Sequence, residues 1–135
     1  MSEFTTREQP VDLAGMLQEF HDAYGLPART VPTANPEEAE FRYDLLAEEF
    51  REYREALDTN DFVETLDALG DILYVLVGSI VNTYGVSLSD LMTEIHRSNM
   101  TKLDADGNVL KNAEGKVIKG PNFSPPDLAP ILGLT

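Results

Sequence analysis

Apolar residues recur at three- and four-residue intervals through most of the first hundred positions, the period of amphipathic helices. Leu13, Met16, Leu17 and Phe20 mark a first helix from about Val11 to Tyr24, ended by Gly25. Pro27 to Pro36 reads as an extended connection, because Pro27, Pro32 and Pro36 each disfavour helix in the residue before them. Asn35-Pro36-Glu37-Glu38 then supplies a cap, a proline at the first helical position and two acids facing the positive end of the dipole. A second helix starts there and runs to about Asp58. Asn60 or Asp61 caps a third, which continues to about Tyr84 and stops at Gly85, and Ser87 caps a fourth from Leu88 to about Asn99.

Beyond Asn99 the period changes. Asn108-Val109-Leu110-Lys111 and Lys116-Val117-Ile118-Lys119 flank Asn112 to Gly115, which predicts a small β-hairpin. Gly120-Pro121 breaks it, and Ser124-Pro125-Pro126-Asp127 opens one last helical turn. No internal repeat and no low-complexity segment is evident. The pattern predicts an all-α bundle of four main helices with a C-terminal hairpin and tail: one domain over 1–135, with a helical core at 10–102 and the tail at 103–135.

Acids interrupt the apolar stripes. At about 100° per residue, Glu49 and Glu52 fall on the stripe of the second helix with Phe41, Leu45, Tyr53 and Ala56, and Glu48 lies beside them. Arg51, Arg54 and Asp58 lie on the opposite, solvated face. On the third helix Glu64, Asp67 and Asp71 share a strip with Tyr74, Val75 and Gly78. The rest of that helix is apolar almost all round, which predicts a central position in the bundle. With no basic residue expected on either strip, clustered carboxylates facing inward require a cation, since unpaired buried charge is very costly. All-oxygen ligands select a hard divalent ion, Mg²⁺ with Mn²⁺ as a substitute. A di-iron site is rejected: it needs Glu-x-x-His pairs, and neither His21 nor His96 follows an acid by three residues.

Charge and composition narrow the partners. The chain of 135 residues carries a formal charge of -14, so a phosphate backbone is repelled and nucleic acid is not an expected partner. That charge is unevenly spread, because residues 97–135 hold five Lys and Arg against four acids. The tail is therefore the place to look for groups that hold a small anion. No cysteine is present, which removes disulfides and thiolate chemistry. Met1 to Pro10 lacks the order of a secretory signal. The longest strongly apolar stretch, Ile72 to Val81, is shorter than the ~20 residues that a bilayer requires. A cytoplasmic protein with no membrane partner is expected, its small core completed by pairing of subunits.

The runs Glu48-Glu49-Phe50-Arg51-Glu52 and Leu69-Gly70-Asp71-Ile72-Leu73-Tyr74 together resemble the MazG-like, phosphoribosyl-ATP pyrophosphohydrolase-like group of all-α nucleoside triphosphate pyrophosphohydrolases. Glu94-Ile95-His96-Arg97-Ser98-Asn99-Met100-Thr101-Lys102-Leu103 and Gly120-Pro121-Asn122-Phe123-Ser124-Pro125-Pro126-Asp127-Leu128 resemble its dimeric dUTP-hydrolysing branch. The resemblance implies cleavage of a (deoxy)nucleoside triphosphate, such as dUTP or dCTP, to monophosphate and pyrophosphate in nucleotide-pool sanitation. It implies a homodimer or a dimer of dimers. Phosphoribosyl-ATP as substrate, or a non-catalytic nucleotide- or metal-binding regulator, are the alternatives.

By the same resemblance Glu49 and Glu52 are metal ligands, Glu48 is a further ligand or, like Glu49, the water-activating base, and Asp71 is the aspartate of the second motif. Ala68 stands where that motif has a glutamate, so Asp67 is the first choice for replacement ligand and Glu64 the second. Lys102 is the candidate charge on the phosphates, with Asn99 as hydrogen-bond donor and Arg97 or Lys119 as helpers; ordinary solvated surface roles compete for each. His21 either touches base or sugar or is a core-edge histidine, and Tyr74 faces either the nucleotide or the dimer seam.

Overall fold

A computed structural model describes residues 10–134 of the chain. The polar N-terminus singled out above, apart from Pro10, lies outside them. The chain divides into two compact units between Gly85 and Val86.

The first unit holds α1 (Leu13–Tyr24), α2 (Ala39–Asp58) and α3 (Phe62–Gly78), the last continued by a π-helical segment, Ser79–Thr83. α1 begins where Asp12 Oδ1 accepts the Gly15 N–H at 2.9 Å and ends on Gly25 in the left-handed conformation. α2 starts a turn later than Asn35-Pro36 predicts, and Glu38 is its cap without a side-chain cap bond. The cause is competition: the Glu38 carboxylate pairs with Arg29, whose Nη2 donates to Oε2 at 2.9 Å. α3 begins as expected at Asp61, whose Oδ1 accepts the Glu64 N–H at 3.0 Å.

Continuous α-helix to Tyr84 was the expectation, but the geometry widens after Gly78. The Val75 carbonyl accepts from Ser79 Oγ and from Arg42 Nη2, both at 2.9 Å. Extra donors inserted at a helical carbonyl are a recognised cause of such widening. Arg42 also corrects the reading of the α2 stripe as free of basic residues. It lies on that stripe, half-buried, and its donors go to Val75 and to Ser79 Oγ at 3.0 Å.

Small residues set the helix seams. Ala56, Ala68 and Gly78 are buried, together with Leu17, Ile72 and Val77. A Cβ on Gly78 would stand 2.8 Å from Arg42 Nη2 and 3.2 Å from Leu17 Cδ1, so α1, α2 and α3 converge at a position that only glycine fills. The connection from Pro27 to Pro36 is pinned by Arg29 N–H to Asn82 O at 2.8 Å and Thr33 N–H to Tyr84 O at 2.9 Å. α3 is not enclosed on every side as its composition predicted: Leu66, Leu69, Leu73 and Leu76 remain substantially exposed in the single chain.

The second unit holds α4 (Leu88–Asn99), capped by Ser87 Oγ on the Asp90 N–H, and the tail. Ser124 to Asp127 is not itself helical; the helical turn expected there comes just after it, where the Leu132 N–H donates to the Leu128 carbonyl at 3.2 Å. Ser98 Oγ and Arg97 Nη2 donate to the carbonyls of Ser124 and Pro125, and consecutive prolines favour extended backbone. The chain turns later, at Ala129–Gly133.

The predicted hairpin is reduced to one bridge between Lys111 and Val117. A short repeat, missed in the sequence, explains why. Asp104 Oδ1 accepts the N–H groups of Asp106 and Asn108, and Asn112 Oδ1 accepts those of Glu114 and Lys116 in the same way. Gly107 and Gly115 take the same positive φ. Each loop satisfies its own backbone groups, leaving few to pair as strands.

Candidate functional site

Glu49, Glu52 and Asp71 each offer a carboxylate oxygen lying within 4.8 Å of the others. Two come from adjacent turns of α2 and one from the middle of α3. The antiparallel register that sets Arg42 beside Gly78 also sets Glu49 beside Asp71, and it carries Glu52 to the level of Ala68. Glu49 and Asp71 are half-buried, whereas Glu52 is exposed.

The electrostatics of the three acids are unfavourable on their own. Burial pushes the Glu49 carboxyl above the usual range, and the charges of Glu52 and Asp71 push it further, with a smaller contribution from Glu48. Its Oε2 is buried without a protein hydrogen-bond partner. Arg42 shares the stripe but bonds elsewhere and is not among the groups that act on Glu49. A carboxylate oxygen lacking a donor, beside two more carboxylates, is the donor set that suits a hard divalent cation. These residues therefore fit the metal that the sequence implies.

Glu48 is exposed next to this group. Asp67 and Glu64 are not in the three-acid group: both are exposed, and Glu64 instead lines a cavity of about 450 Å³ with Glu52, Glu55, Ala56 and Thr59. Ala68 is 2% exposed, closed in the seam. Tyr74 lies one turn beyond Asp71 and meets Phe20 edge-on at 5.4 Å; with Tyr24, Met16, Glu19 and Ala23 these two line a groove of about 370 Å³.

Of the two readings of His21, its position matches the core one. It is 3% exposed, and its Nδ1 donates to the Pro27 carbonyl at 2.8 Å. In the second unit Arg97 is committed to Glu94, Ser124 Oγ and the Pro125 carbonyl, a latch between α4 and the tail rather than a free charge. Asn99 is exposed, and Lys102 and Lys119 line one groove of that unit with Lys116. Sequence reading missed Arg42 and Lys116. The signal for Arg42 was its angular position within the apolar stripe, and for Lys116 the confinement of every lysine to residues 102–119.

Comparison with known proteins gives two matches. A model described as phosphoribosyl-ATP pyrophosphohydrolase (PRA-PH) covers residues 17–99, which include all three clustered acids. Uncharacterized protein L479 of Acanthamoeba polyphaga mimivirus is 33% identical over 119 residues, an overlap of 83% of this chain and 47% of that protein. The chain thus spans about half the length of this curated relative.

Proposed function

The chain belongs to the phosphoribosyl-ATP pyrophosphohydrolase family, within the MazG-like superfamily, and from that premise we propose that it is a Mg²⁺-dependent pyrophosphohydrolase of nucleoside triphosphates. The observation that carries this reading is the convergence of Glu49, Glu52 and Asp71, with the Glu49 carboxyl raised and one of its oxygens unpartnered.

In this reading Glu49, Glu52 and Asp71 hold Mg²⁺, with Mn²⁺ as a substitute. The ion supplies charge neutralisation at the phosphates and acidifies a water. Glu48, exposed beside the ligands, would accept the proton of the attacking water as it forms a bond to the α-phosphorus. The bond from the α-phosphorus to the α,β-bridging oxygen breaks, and pyrophosphate leaves with the electron pair. Within the first unit, the groove of Phe20, Tyr24 and Tyr74 receives the base.

The substrate class is a deoxynucleotide such as dUTP or dCTP, and the setting is nucleotide-pool sanitation in the cytoplasm. No single helix among the described residues is long and apolar enough to cross a membrane. The exposed apolar residues of α2 and α3, Phe41, Phe62, Leu66 and Leu73 among them, support a homodimer or dimer of dimers. A second reading, phosphoribosyl-ATP as substrate, is favoured by the description of the matching family itself.

A panel of dNTPs and NTPs with phosphoribosyl-ATP, run in Mg²⁺ and in EDTA, tests these assignments. Pyrophosphate and monophosphate are expected from at least one deoxynucleotide in Mg²⁺ alone. Release confined to phosphoribosyl-ATP selects the second reading, and metal binding without turnover of any substrate leaves a regulator.

A further inference from the structure

All four lysines of the chain, Lys102, Lys111, Lys116 and Lys119, lie within 18 residues, and all lie beyond the segment that matches the family. Among the described residues none takes part in an ion pair, whereas Arg29, Arg54 and Arg97 each do. In a chain of charge -14, unpaired cations gathered in one place need an explanation beyond solubility.

Three of the four converge. Lys102, Lys116 and Lys119 line a groove of about 310 Å³ with Asn112, Val117 and Ile118, and no acid lines it. The backbone beneath it is fixed. The Gly120 N–H donates to the Lys102 carbonyl at 3.1 Å, the Asn112 N–H to the Lys116 carbonyl at 2.9 Å, and the Ile118 N–H to the Leu110 carbonyl at 3.0 Å. A Cβ on Gly120 would stand 2.5 Å from the Leu103 carbonyl oxygen, so the close approach that joins the two ends of the groove requires glycine. Lys119 Nζ sits 4.8 Å above the Phe123 ring, which holds its ammonium in place.

We propose that this groove binds pyrophosphate, the inorganic product of the proposed reaction, with Lys116 and Asn112 as binding residues alongside Lys102 and Lys119. The assignment rests on the pyrophosphohydrolase reading for the identity of its ligand. Three ammoniums match the charge of a pyrophosphate group, and the groove is compact. An extended phosphodiester would meet the net negative charge of the rest of the chain.

The test uses the full-length chain and inorganic pyrophosphate, titrated calorimetrically in EDTA, so that the acidic cluster plays no part. Lys116→Gln and Lys119→Gln should each weaken pyrophosphate binding about threefold to fivefold, the size of a solvent-screened charge contact. Added salt should shrink the difference. Lys111→Gln, outside the groove, should leave pyrophosphate binding unchanged.

Unchanged pyrophosphate binding in a Lys116→Gln/Lys119→Gln double variant overturns the proposal. So does an equal loss in Lys111→Gln, or lysine-dependent binding of a thymidine oligonucleotide that exceeds that of pyrophosphate. Lysine-dependent pyrophosphate binding in a chain that turns over no nucleotide supports the groove and removes the activity. Turnover with lysine-independent pyrophosphate binding does the reverse.

Discussion

Arg42 Nη2 lies 2.8 Å from the point where a Cβ on Gly78 would stand, and that guanidinium fixes the register of α2 on α3 through the Val75 carbonyl and Ser79 Oγ. The same register aligns Glu49 with Asp71. Gly78→Ala should therefore act at a distance. Displacing Arg42 or Leu17 costs about 2 kcal/mol, typical of overpacking, read from the urea midpoint. The affinity for Mg²⁺ should fall with it. Full stability with unchanged metal affinity would show that the guanidinium moves freely and fixes nothing.

Glu49 carries the unfavourable charge of the cluster. Because its carboxyl is raised above the ordinary range, the metal-free protein has stability below the ordinary glutamate pKa that is lost as pH rises through the raised value. Mg²⁺ at ~100 times its Kd should restore about 2.7 kcal/mol at neutral pH, several degrees in Tm. Glu49→Gln should match or exceed the wild-type Tm in EDTA and show no rise on adding Mg²⁺. A Mg²⁺-dependent rise that survives this change would remove Glu49 from the ligand set.

The helices were legible because their signals are local: Asp61 and Ser87 cap where the sequence places them, and Gly25 ends α1. Angular position put Glu49 and Glu52 on one strip and Glu64, Asp67 and Asp71 on another, but of the latter three only Asp71 joins the cluster, so the arithmetic gave the faces and not the set. What the sequence left open depended on which group takes up each polar side chain. Glu38 stands at the cap of α2 in place of Asn35, and its carboxylate is taken up by Arg29. His21 is spent on the Pro27 carbonyl, and Arg97 on Glu94 and the tail. A polar side chain advertises its chemistry in the sequence, but the group that consumes it does not.

The Arg29–Glu38 pair gives a pH prediction with a definite sign. Its hydrogen bond with Arg29 holds the Glu38 carboxyl below the ordinary range. Its contribution is therefore present above the ordinary glutamate pKa and lost as pH falls through the lowered one. Hydrogen exchange at the Arg29 and Thr33 amides, which anchor the connection to Asn82 and Tyr84, should accelerate in acid relative to the core. Glu38→Gln should show the faster exchange already at neutral pH and little further change on acidification. A wild-type acid response retained in that variant would place the sensor elsewhere.

Ser98 is the corresponding anchor of the second unit. It is 3% exposed, and its hydroxyl donates to the Ser124 carbonyl at 2.8 Å. Ser98→Ala leaves that carbonyl with only the longer contact from Thr101 Oγ, at 3.4 Å. A loss of about 1 kcal/mol is expected. Proteolysis between Gly120 and Asp127 should quicken while α1 to α3 keep their protection. Uniform loss across both units would mean that the hydroxyl supports the whole fold and not the tail alone.

Ala68 tests how the cluster tolerates charge. It is 2% exposed and nearly one turn of α3 before Asp71, and the family resemblance implies a glutamate there, so Ala68→Glu places a fourth carboxylate in a seam now closed by a methyl group. In EDTA the added charge has no cationic partner, and a loss of about 3 kcal/mol or more follows from burying it. Mg²⁺ or Mn²⁺ should return most of that loss, giving a metal-induced rise in Tm larger than that of the wild type. The contrast between the two conditions separates charge from bulk, because steric strain does not respond to metal. A loss identical with and without metal would mean that position 68 faces packing atoms only, and that Glu49, Glu52 and Asp71 hold their ion without help from that turn of α3.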